Sequence, residues 1–297
     1  MPKAQTNGIE ITYEVSGPAD GAPLLLIHGV GAQLIRWPDA LLHRFAEAGF
    51  RTIRFDNRDS GLSTHFGASP VPNITDVVAA QARGEEAELP YRLDDMAADS
   101  LGLLDALGVE SGHVFGMSLG GMVAQLIAIA QPARVRSLAL VMTNSGNSAL
   151  PRSDPKAMHA LASPAPDPFA QREAYLDHMV ERSRILGSPA YPTPEPALRR
   201  FAERAAERSY DPAGTARHLA ASRGALDRRE ALRALSVPTL VVHGADDPLI
   251  PAEAGDELAR LIEGAWLLRI SGMGHDLPGQ LFDLIVGAVK ANADRAG

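Results

Sequence analysis

Short apolar segments that suit β-strands alternate along this chain with longer segments of helical periodicity. The strand-like runs include "PLLLIHG" (23–29), "RTIRFD" (51–56) and "HVFGMS" (113–118), and helical patterns cover 38–49 and 92–108. Strands that alternate with helices favour βαβ units, in which the strands lie parallel and the helices cover the sheet. We therefore predict an α/β fold with a mostly parallel central sheet flanked by helices.

The alternation continues toward the end of the chain, and two segments depart from it. Further strands are expected at 136–144, 239–244 and 265–271, with a helix at 251–263 and a terminal helix after the last strand. The opening "GIEITYEVSG" alternates apolar and polar residues, which predicts an antiparallel edge strand. The Pro- and Gly-rich segment 66–90 predicts a long loop that includes at most a short helix.

Strand patterns disappear between residues 148 and 228. Three segments there open with Asp or Thr before Pro, a pair that suits an N-cap followed by Pro at the first helical position. They are "DPKAMHALA", "DPFAQREAYLDHMVERSRIL" and "TPEPALRRFAERAAERSY". We predict an all-helical cap, or lid, over 148–228, inserted before the last two strands into a core made of 1–147 and 229–297.

Composition removes several classes of partner and site. The 297 residues carry a formal net charge of −8 without a concentrated Lys/Arg block, so neither nucleic acid nor a membrane surface is an expected partner. The absence of cysteine excludes disulfides, thiolate-bound metals and a cysteine nucleophile. Without a signal-peptide pattern or an apolar run of about 20 residues, we expect a cytoplasmic protein. Nothing in the sequence indicates an oligomeric state.

The most specific chemical signal lies in "GHVFGMSLGGMVAQLIAIA" (112–130), where "GMSLG" matches the G-x-S-x-G pattern of a nucleophile elbow. A strand pattern precedes the serine and an apolar helix follows it. Ser118 is therefore expected in a sharp turn that lifts its hydroxyl to the carboxyl edge of the sheet. The alternative is a serine that only caps the following helix. We predict that Ser118 is a catalytic nucleophile.

A serine hydroxyl is a weak nucleophile at neutral pH, so it needs a base that a third group orients. "SGMGHDLPG" (271–279) follows the last strand pattern and places His275 in a loop flanked by glycines. "HGADDPLIP" (243–251) follows the preceding strand and offers Asp246 and Asp247. The order serine, acid, histidine suits a triad on such a sheet. No HExxH or clustered ligand pattern occurs, so neither a metal nor another cofactor is expected.

Acyl transfer also needs N–H donors for the negative charge that builds on the attacked carbonyl oxygen. "HGVGAQ" (28–33) ends the strand before the first long helix, where a backbone donor is expected. We predict that the N–H groups of Val30 and Leu119 form this oxyanion hole.

The same stretch permits a rival interpretation. "GVGAQL" starts as G-x-G after a strand, and Asp56 ends the next strand about where a ribose-binding acid of a dinucleotide fold would lie. Leu34 stands in place of the third glycine, however, and Trp37 with Pro38 interrupts the helix start that would hold the pyrophosphate. A dinucleotide-dependent oxidoreductase is therefore disfavoured.

Together these motifs resemble the serine α/β-hydrolase family. "HGVG", "RFDNRDSGLST", "GMSLGG", "HGADDPLIP" and "GMGHDLP" occur in family order over almost the whole chain. The resemblance implies that Asp247 is the acid, because it fits the family's G-x-x-D-x-x-x-P layout. It also implies that Asp56, Arg58 and Ser63 shape a structural loop near the site. Within the family, "RWPD", "RFDNRDSGLST" and "GMGHDLP" are most similar to carboxylesterases of the aclacinomycin methylesterase type.

The predicted activity is hydrolysis of a small-molecule carboxylic ester of small to medium, hydrophobic character. Ser118, His275 and Asp247 would form the triad and an acyl-enzyme. A lactonase, a carbon–carbon hydrolase or a perhydrolase would use the same residues, and a ligand receptor with little turnover is an alternative outside catalysis. The pocket candidates are apolar or aromatic: Leu34, Trp37, Met117 and Met142 from the core, and Met158, Tyr175 and Met179 from the cap.

Overall fold

A sheet of eight strands forms the centre of the computed structural model, which describes residues 1–83 and 85–297. In space the strands follow the order β1-β2-β4-β3-β5-β6-β7-β8. In chain order they are β1 (Lys3–Thr6), β2 (Ile9–Ser16), β3 (Ala22–Ile27), β4 (Phe50–Phe55), β5 (Gly112–Met117), β6 (Val135–Val141), β7 (Thr239–Gly244) and β8 (Trp266–Ile270).

Strands β3 to β8 pair in parallel, and only the first two strands run antiparallel to their neighbours. This confirms the predicted α/β fold with its mostly parallel sheet. The antiparallel strand expected from "GIEITYEVSG" is β2, which pairs with β4. The edge itself is β1, which the sequence analysis missed because four residues, with only Ala4 and Thr6 buried, are too short for a clear periodicity.

Helices connect and cover the strands. In chain order they are α1 (Asp39–Glu47), α2 (Ile74–Ala82), α3 (Leu93–Ala106), α4 (Leu119–Ala130), α5 (Pro155–Ala162), α6 (Arg172–Leu186), α7 (Glu195–Arg208), α8 (Pro212–Arg223), α9 (Arg229–Arg233), α10 (Glu253–Leu261) and α11 (Phe282–Ala293). Helices α3, α4 and α10 contribute to the apolar core on one face of the sheet, and α1 and α11 to the core on the other. No helix in the described ranges has the length and apolar character needed to cross a bilayer.

The segment 148–228 holds α5 to α8 between β6 and β7, and we call it the cap. Asp154 caps α5 as expected, since its carboxylate accepts hydrogen bonds from the next backbone N–H groups and Pro155 opens the helix. The expectation was wrong at Asp167, which caps a turn before α6, and at Thr193, which lies outside α7. Helix α8, whose N-cap is Asp211, was missed.

Buried ion pairs join the cap to the loop after β4. The guanidinium of Arg217 on α8 donates to both carboxylate oxygens of Asp59, at 2.7 and 3.0 Å, and both side chains are buried. Arg208 on α7 donates to Asp56 Oδ2 at 2.7 Å. Asp56 also accepts the Leu34 N–H at 2.7 Å, so this carboxylate fixes the chain that follows β3. The loop containing "DNRDSGLST" therefore connects the core to the cap through these ion pairs.

We expect Arg217→Met to lower the free energy of unfolding by about 3–5 kcal/mol, because it leaves the Asp59 carboxylate buried without its cation. Urea denaturation followed by circular dichroism measures this loss. The double variant Asp59→Asn with Arg217→Met is the matched control. An asparagine accepts the Phe66 N–H that Asp59 accepts at 2.6 Å, and it tolerates the local φ of 59°. We expect the double variant to recover most of the free energy of unfolding that Arg217→Met loses. If the free energy of unfolding of Arg217→Met alone lies within about 1 kcal/mol of that of the parent, the argument is contradicted.

Candidate active site

Ser118 occupies a strained turn between β5 and α4, with φ 57° and ψ −123°. Such a backbone is rare for a residue with a side chain and persists where the surroundings hold it in place. Two glycines permit the turn. A Cβ atom on Gly116 would lie 2.3 Å from the carbonyl oxygen of Gly120, and one on Gly120 would lie 2.1 Å from the carbonyl oxygen of Ile27. The predicted strand–serine–helix arrangement is therefore present, and the serine lies at the carboxyl end of the central strand.

The side chains of Ser118, His275 and Asp247 form a chain of hydrogen bonds. His275 Nε2 lies 3.1 Å from Ser118 Oγ, and His275 Nδ1 lies 2.7 Å from Asp247 Oδ2. The loops after β8 and β7 carry the histidine and the aspartate, and parallel strands bring these loops to one edge of the sheet. The carboxylate sets the tautomer, since Nδ1 donates to Asp247 and Nε2 is left to accept the serine proton.

The two adjacent aspartates have different surroundings. Asp247 is buried, and its Oδ1 accepts the N–H groups of Leu249 at 2.8 Å and Ile250 at 2.9 Å. Burial alone would raise the pKa of Asp247, but the charge of His275 and the hydrogen bond from it lower that pKa overall. Asp246 is exposed and accepts the Gly272 N–H at 2.6 Å. Only Asp247 of this pair contacts His275, as the family layout implied.

The loop expected to supply one oxyanion donor lies directly beside Ser118, since a Cβ on Gly29 would be 3.1 Å from Ser118 Cβ. Other N–H groups of this loop are occupied: Gly29 by His28 Nδ1 at 2.7 Å, Gly31 by His218 Nδ1 at 3.1 Å, and Ala32 by the Gly29 carbonyl at 3.3 Å. Within the described residues the Val30 N–H has no protein acceptor. That of Leu119, the first residue of α4, has no acceptor within its helix. Both predicted donors are thus available.

His218 was not among the predicted site residues, yet from the cap it supports residues 28–33, which we call the oxyanion loop because it is expected to supply one oxyanion donor. It is fully buried on α8, accepts the Gly31 N–H at Nδ1, and its Nε2 lies 2.5 Å from the Arg58 carbonyl oxygen. Burial lowers the pKa of His218, consistent with a neutral ring that accepts at one nitrogen and donates at the other. The pair Asp211–Pro212 in the sequence could have indicated this fourth cap helix.

The cap also holds the loop that carries His275. The His275 N–H donates to the carbonyl oxygen of Leu186, the last residue of α6, at 2.7 Å. The Gly274 N–H donates to Ser188 Oγ at 2.9 Å, and that hydroxyl lies 2.5 Å from Asp276 Oδ1. These partners are more than 80 residues apart in the chain, so no local pattern could have paired them.

The predicted pocket residues fall into two groups. Leu34, Trp37, Met117 and Met142 are buried on the core side, where the Trp37 ring packs 4.6 Å from that of His28. The other three lie in the cap. Tyr175 and Met179 belong to an apolar cluster between α6 and α7, and Met158, a residue of α5, packs against a separate apolar cluster. Their contact with a substrate stays a prediction.

One cluster of potential metal ligands, Asp59, His65 and Asp211, lies where α8 meets the loop after β4. Its polar atoms already have partners. Arg217 forms an ion pair with Asp59. The two ring nitrogens of His65 donate to the Asp211 carboxylate at 2.6 Å and to the Gly61 carbonyl oxygen at 3.0 Å. Burial works against the charged ring, but these two hydrogen bonds raise the pKa of His65. The cluster is therefore better explained as a network of ion pairs than as a metal centre.

Comparison with known proteins agrees with the fold. Residues 22–279 match the family described as alpha/beta hydrolase fold. A rhodomycin D methylesterase of Streptomyces sp. (strain C5) is 29% identical, over 100% of this chain and 99% of the relative. A putative carbamate hydrolase of Variovorax paradoxus (strain S110) is 30% identical, over 89% of this chain and 88% of the relative.

Among solved structures, a meta-cleavage product hydrolase from Pseudomonas fluorescens IP01 superposes with a TM-score of 0.75 at 18% identity, over 100% of this chain and 98% of that one. This likeness supports the fold, and the similarity to a methylesterase and a carbamate hydrolase supports a hydrolase. The predicted resemblance to methylesterases and the prediction of a hydrolase are confirmed. The chain belongs to the α/β-hydrolase family.

Proposed function

We propose that this protein is a serine carboxylesterase that acts on a small-molecule ester of small to medium, hydrophobic character. The observation that carries the proposal is the hydrogen-bonded chain from Ser118 through His275 to Asp247 at the carboxyl edge of the sheet. A hydroxyl next to an oriented neutral imidazole is the arrangement that acyl transfer needs. The likeness to rhodomycin D methylesterases favours an ester among the bonds that this family cleaves.

The proposed reaction has two acyl-transfer steps. His275 Nε2 takes the proton of Ser118 Oγ while that oxygen bonds to the ester carbonyl carbon. The N–H groups of Val30 and Leu119 stabilise the oxyanion. Collapse of the intermediate breaks the bond to the alcohol oxygen, which receives the proton from His275. A water molecule activated by the same nitrogen then releases the acid and restores Ser118.

The cap, residues 148–228, is proposed to close the pocket over this site. Its contacts with the oxyanion loop through His218 and with the histidine loop through Leu186 support that role. Apolar candidates on both sides, Met117 from the core and Met179 from the cap, favour a substrate with hydrophobic bulk.

The test is hydrolysis of p-nitrophenyl esters from acetate to decanoate, together with labelling by a p-nitrophenyl phosphonate. We expect turnover with one preferred acyl length, and a covalent mass increase on the peptide that contains Ser118. Rapid ester turnover separates an esterase from a receptor of the same fold, which would bind ligand without turnover. Absence of both hydrolysis and labelling would overturn the proposal, while labelling without ester turnover would direct attention to lactones, carbon–carbon bonds or perhydrolysis.

A further inference from the structure

A hydrogen bond from the oxyanion loop to the cap lies next to one of the two proposed oxyanion donors. The Gly31 N–H donates to His218 Nδ1 on α8 at 3.1 Å, and Gly31 directly follows Val30. Helix α8 packs closely on this glycine, because Gly31 has φ 63° and a Cβ on it would lie 2.5 Å from Thr215 Oγ1. Thr215 and His218 are three residues apart, so they lie on one face of the helix. This face of α8 therefore rests directly on the oxyanion loop.

The partners of the His218 ring determine its tautomer. Its Nε2 lies 2.5 Å from the Arg58 carbonyl oxygen, which can only accept, so Nε2 carries the proton. Nδ1 is then left without a proton, as it must be in order to accept the Gly31 N–H. Burial lowers the pKa of His218, which keeps the ring in this neutral form. An imidazolium would have a donor at each nitrogen and could not accept the Gly31 N–H.

Buried ion pairs hold the His218 ring from the cap and from the core. Arg217, the preceding residue of α8, is fixed by its buried ion pair with Asp59. On the core side, the Arg58 guanidinium donates to both carboxylate oxygens of Asp99 at 2.7 Å, and these side chains are also buried. The Arg58 carbonyl that accepts from His218 thus belongs to an anchored residue. The acceptor nitrogen of His218 consequently has a fixed position relative to the oxyanion loop.

The contact with His218 fixes one of two successive peptide groups in the loop. The peptide that joins Gly29 to Val30 contains the proposed donor N–H, and its carbonyl oxygen accepts the Ala32 N–H at 3.3 Å. The next peptide joins Val30 to Gly31, and its N–H donates to His218. Without that acceptor the Gly31 N–H would lose its partner, and a loop with a glycine on each side of Val30 could rotate toward other acceptors. The Val30 N–H would then no longer be held toward the attacked carbonyl oxygen.

We propose that His218 is a positioning residue of the Ser118 site, whose Nδ1 holds the Val30–Gly31 peptide so that the Val30 N–H meets the oxyanion. The inference rests on the proposed esterase function and makes the cap responsible for part of its oxyanion hole. Preorganised donors stabilise a transition state without rearranging during the reaction. His218 therefore affects kcat and the binding of oxyanion adducts more than it affects the binding of an ester in its ground state. Displacement of α8 would also disrupt the hole, so the cap completes the site as well as closing it.

The test replaces the two ring nitrogens of His218 one at a time by an amide. In His218→Asn the side-chain oxygen takes the place of Nδ1 and can accept the Gly31 N–H. In His218→Gln the NH2 group takes the place of Nε2 and can donate to the Arg58 carbonyl, but the Gly31 N–H loses its acceptor.

We expect His218→Gln to lower kcat for the preferred p-nitrophenyl ester about ten- to a hundredfold, which is less than the loss of a whole oxyanion donor, and to change KM by less than about threefold. Ki for decyl trifluoromethyl ketone, which forms an oxyanion adduct with Ser118, should rise by the same factor by which kcat falls. His218→Asn should rescue kcat to within about fivefold of the parent, because it restores the acceptor.

His113→Gln is the matched control. His113 is also a buried histidine, and its Nδ1 lies 2.8 Å from Ser137 Oγ. It lies at the amino end of β5, opposite the end that leads into Ser118, so kcat should stay within about twofold of the parent. Equal losses of kcat in the two His218 variants would overturn the inference. A fall in kcat for His218→Gln without a change in the ketone Ki would also overturn it, because it would show only a smaller active fraction.

Thermal midpoints identify variants that fail to fold, and nuclear magnetic resonance of the isotope-labelled parent needs no variant. The ring of His218 should be neutral, with its proton on Nε2, between about pH 6 and 8. A proton on Nδ1 would overturn the inference even if every variant were unfolded. If the parent hydrolyses esters and these results fail, the esterase proposal stands without the inference. If the parent hydrolyses no ester, the esterase proposal fails and the inference fails with it.

Discussion

Ser118→Ala is expected to lower kcat for the preferred p-nitrophenyl ester by at least about a thousandfold, and by up to about a millionfold. Without the hydroxyl no acyl-enzyme forms. The donors at Val30 and Leu119 and the bound geometry would still leave some rate above that in water. Alanine removes one atom from a position that is 9% exposed, so the fold should survive. Steady-state kinetics at several enzyme concentrations, with the phosphonate label as a second readout, measure the loss.

Ser100→Ala is the matched control for this variant. Ser100 is fully buried on α3, and its hydroxyl donates to the Met96 carbonyl oxygen of the same helix at 2.8 Å. Its removal tests the effect of deleting a buried serine hydroxyl away from the site, and kcat should stay within about twofold of the parent. A Ser118→Ala variant that keeps a tenth or more of the parental rate would show that Ser118 is not the nucleophile.

The fold was predictable because its signals are local and repeated. Several parallel strands are apolar runs, as in β5, whose six residues are all buried, and helical periods alternate with them along the chain. The turn at Ser118 was equally predictable, because the glycines on either side of it appear in the sequence as a short local motif. A side chain on either glycine would clash with neighbouring backbone atoms. Cap helix boundaries were less predictable because the side chain of Asp167 caps a turn as well as it would cap a helix.

The contacts that hold the loops of the site in place could not be predicted from the sequence. His218 contacts Gly31 across 187 positions, and Leu186 contacts His275 from another element. Such pairs depend on how the cap lies over the core, and the sequence gives no period or spacing for that. The candidate catalytic residues were thus found by motif, and the residues that support their loops were found from the structure.

Asp247→Asn should lower kcat by about ten-thousandfold, the effect known for a triad that loses its carboxylate. The asparagine oxygen can still accept the N–H groups of Leu249 and Ile250, which turns its NH2 group toward His275. An amide donor in that place makes Nδ1 the acceptor and moves the ring proton to Nε2, where it blocks transfer from Ser118. The loss should appear in kcat and in the rate of phosphonate labelling, with little change in the thermal midpoint.

Asp246→Asn provides the comparison that separates the two adjacent acids. Asp246 is exposed, and an asparagine oxygen can replace its contact with the Gly272 N–H, so kcat should stay within about threefold of the parent. Equal losses in both variants would mean that the loop, not the carboxylate of Asp247, is what the reaction needs. A large loss confined to Asp246→Asn would reverse the assignment. The two aspartates lie in the same loop, but only Asp247 contacts His275. Comparison of the two variants therefore separates the orientation of the imidazole from the folding of the loop.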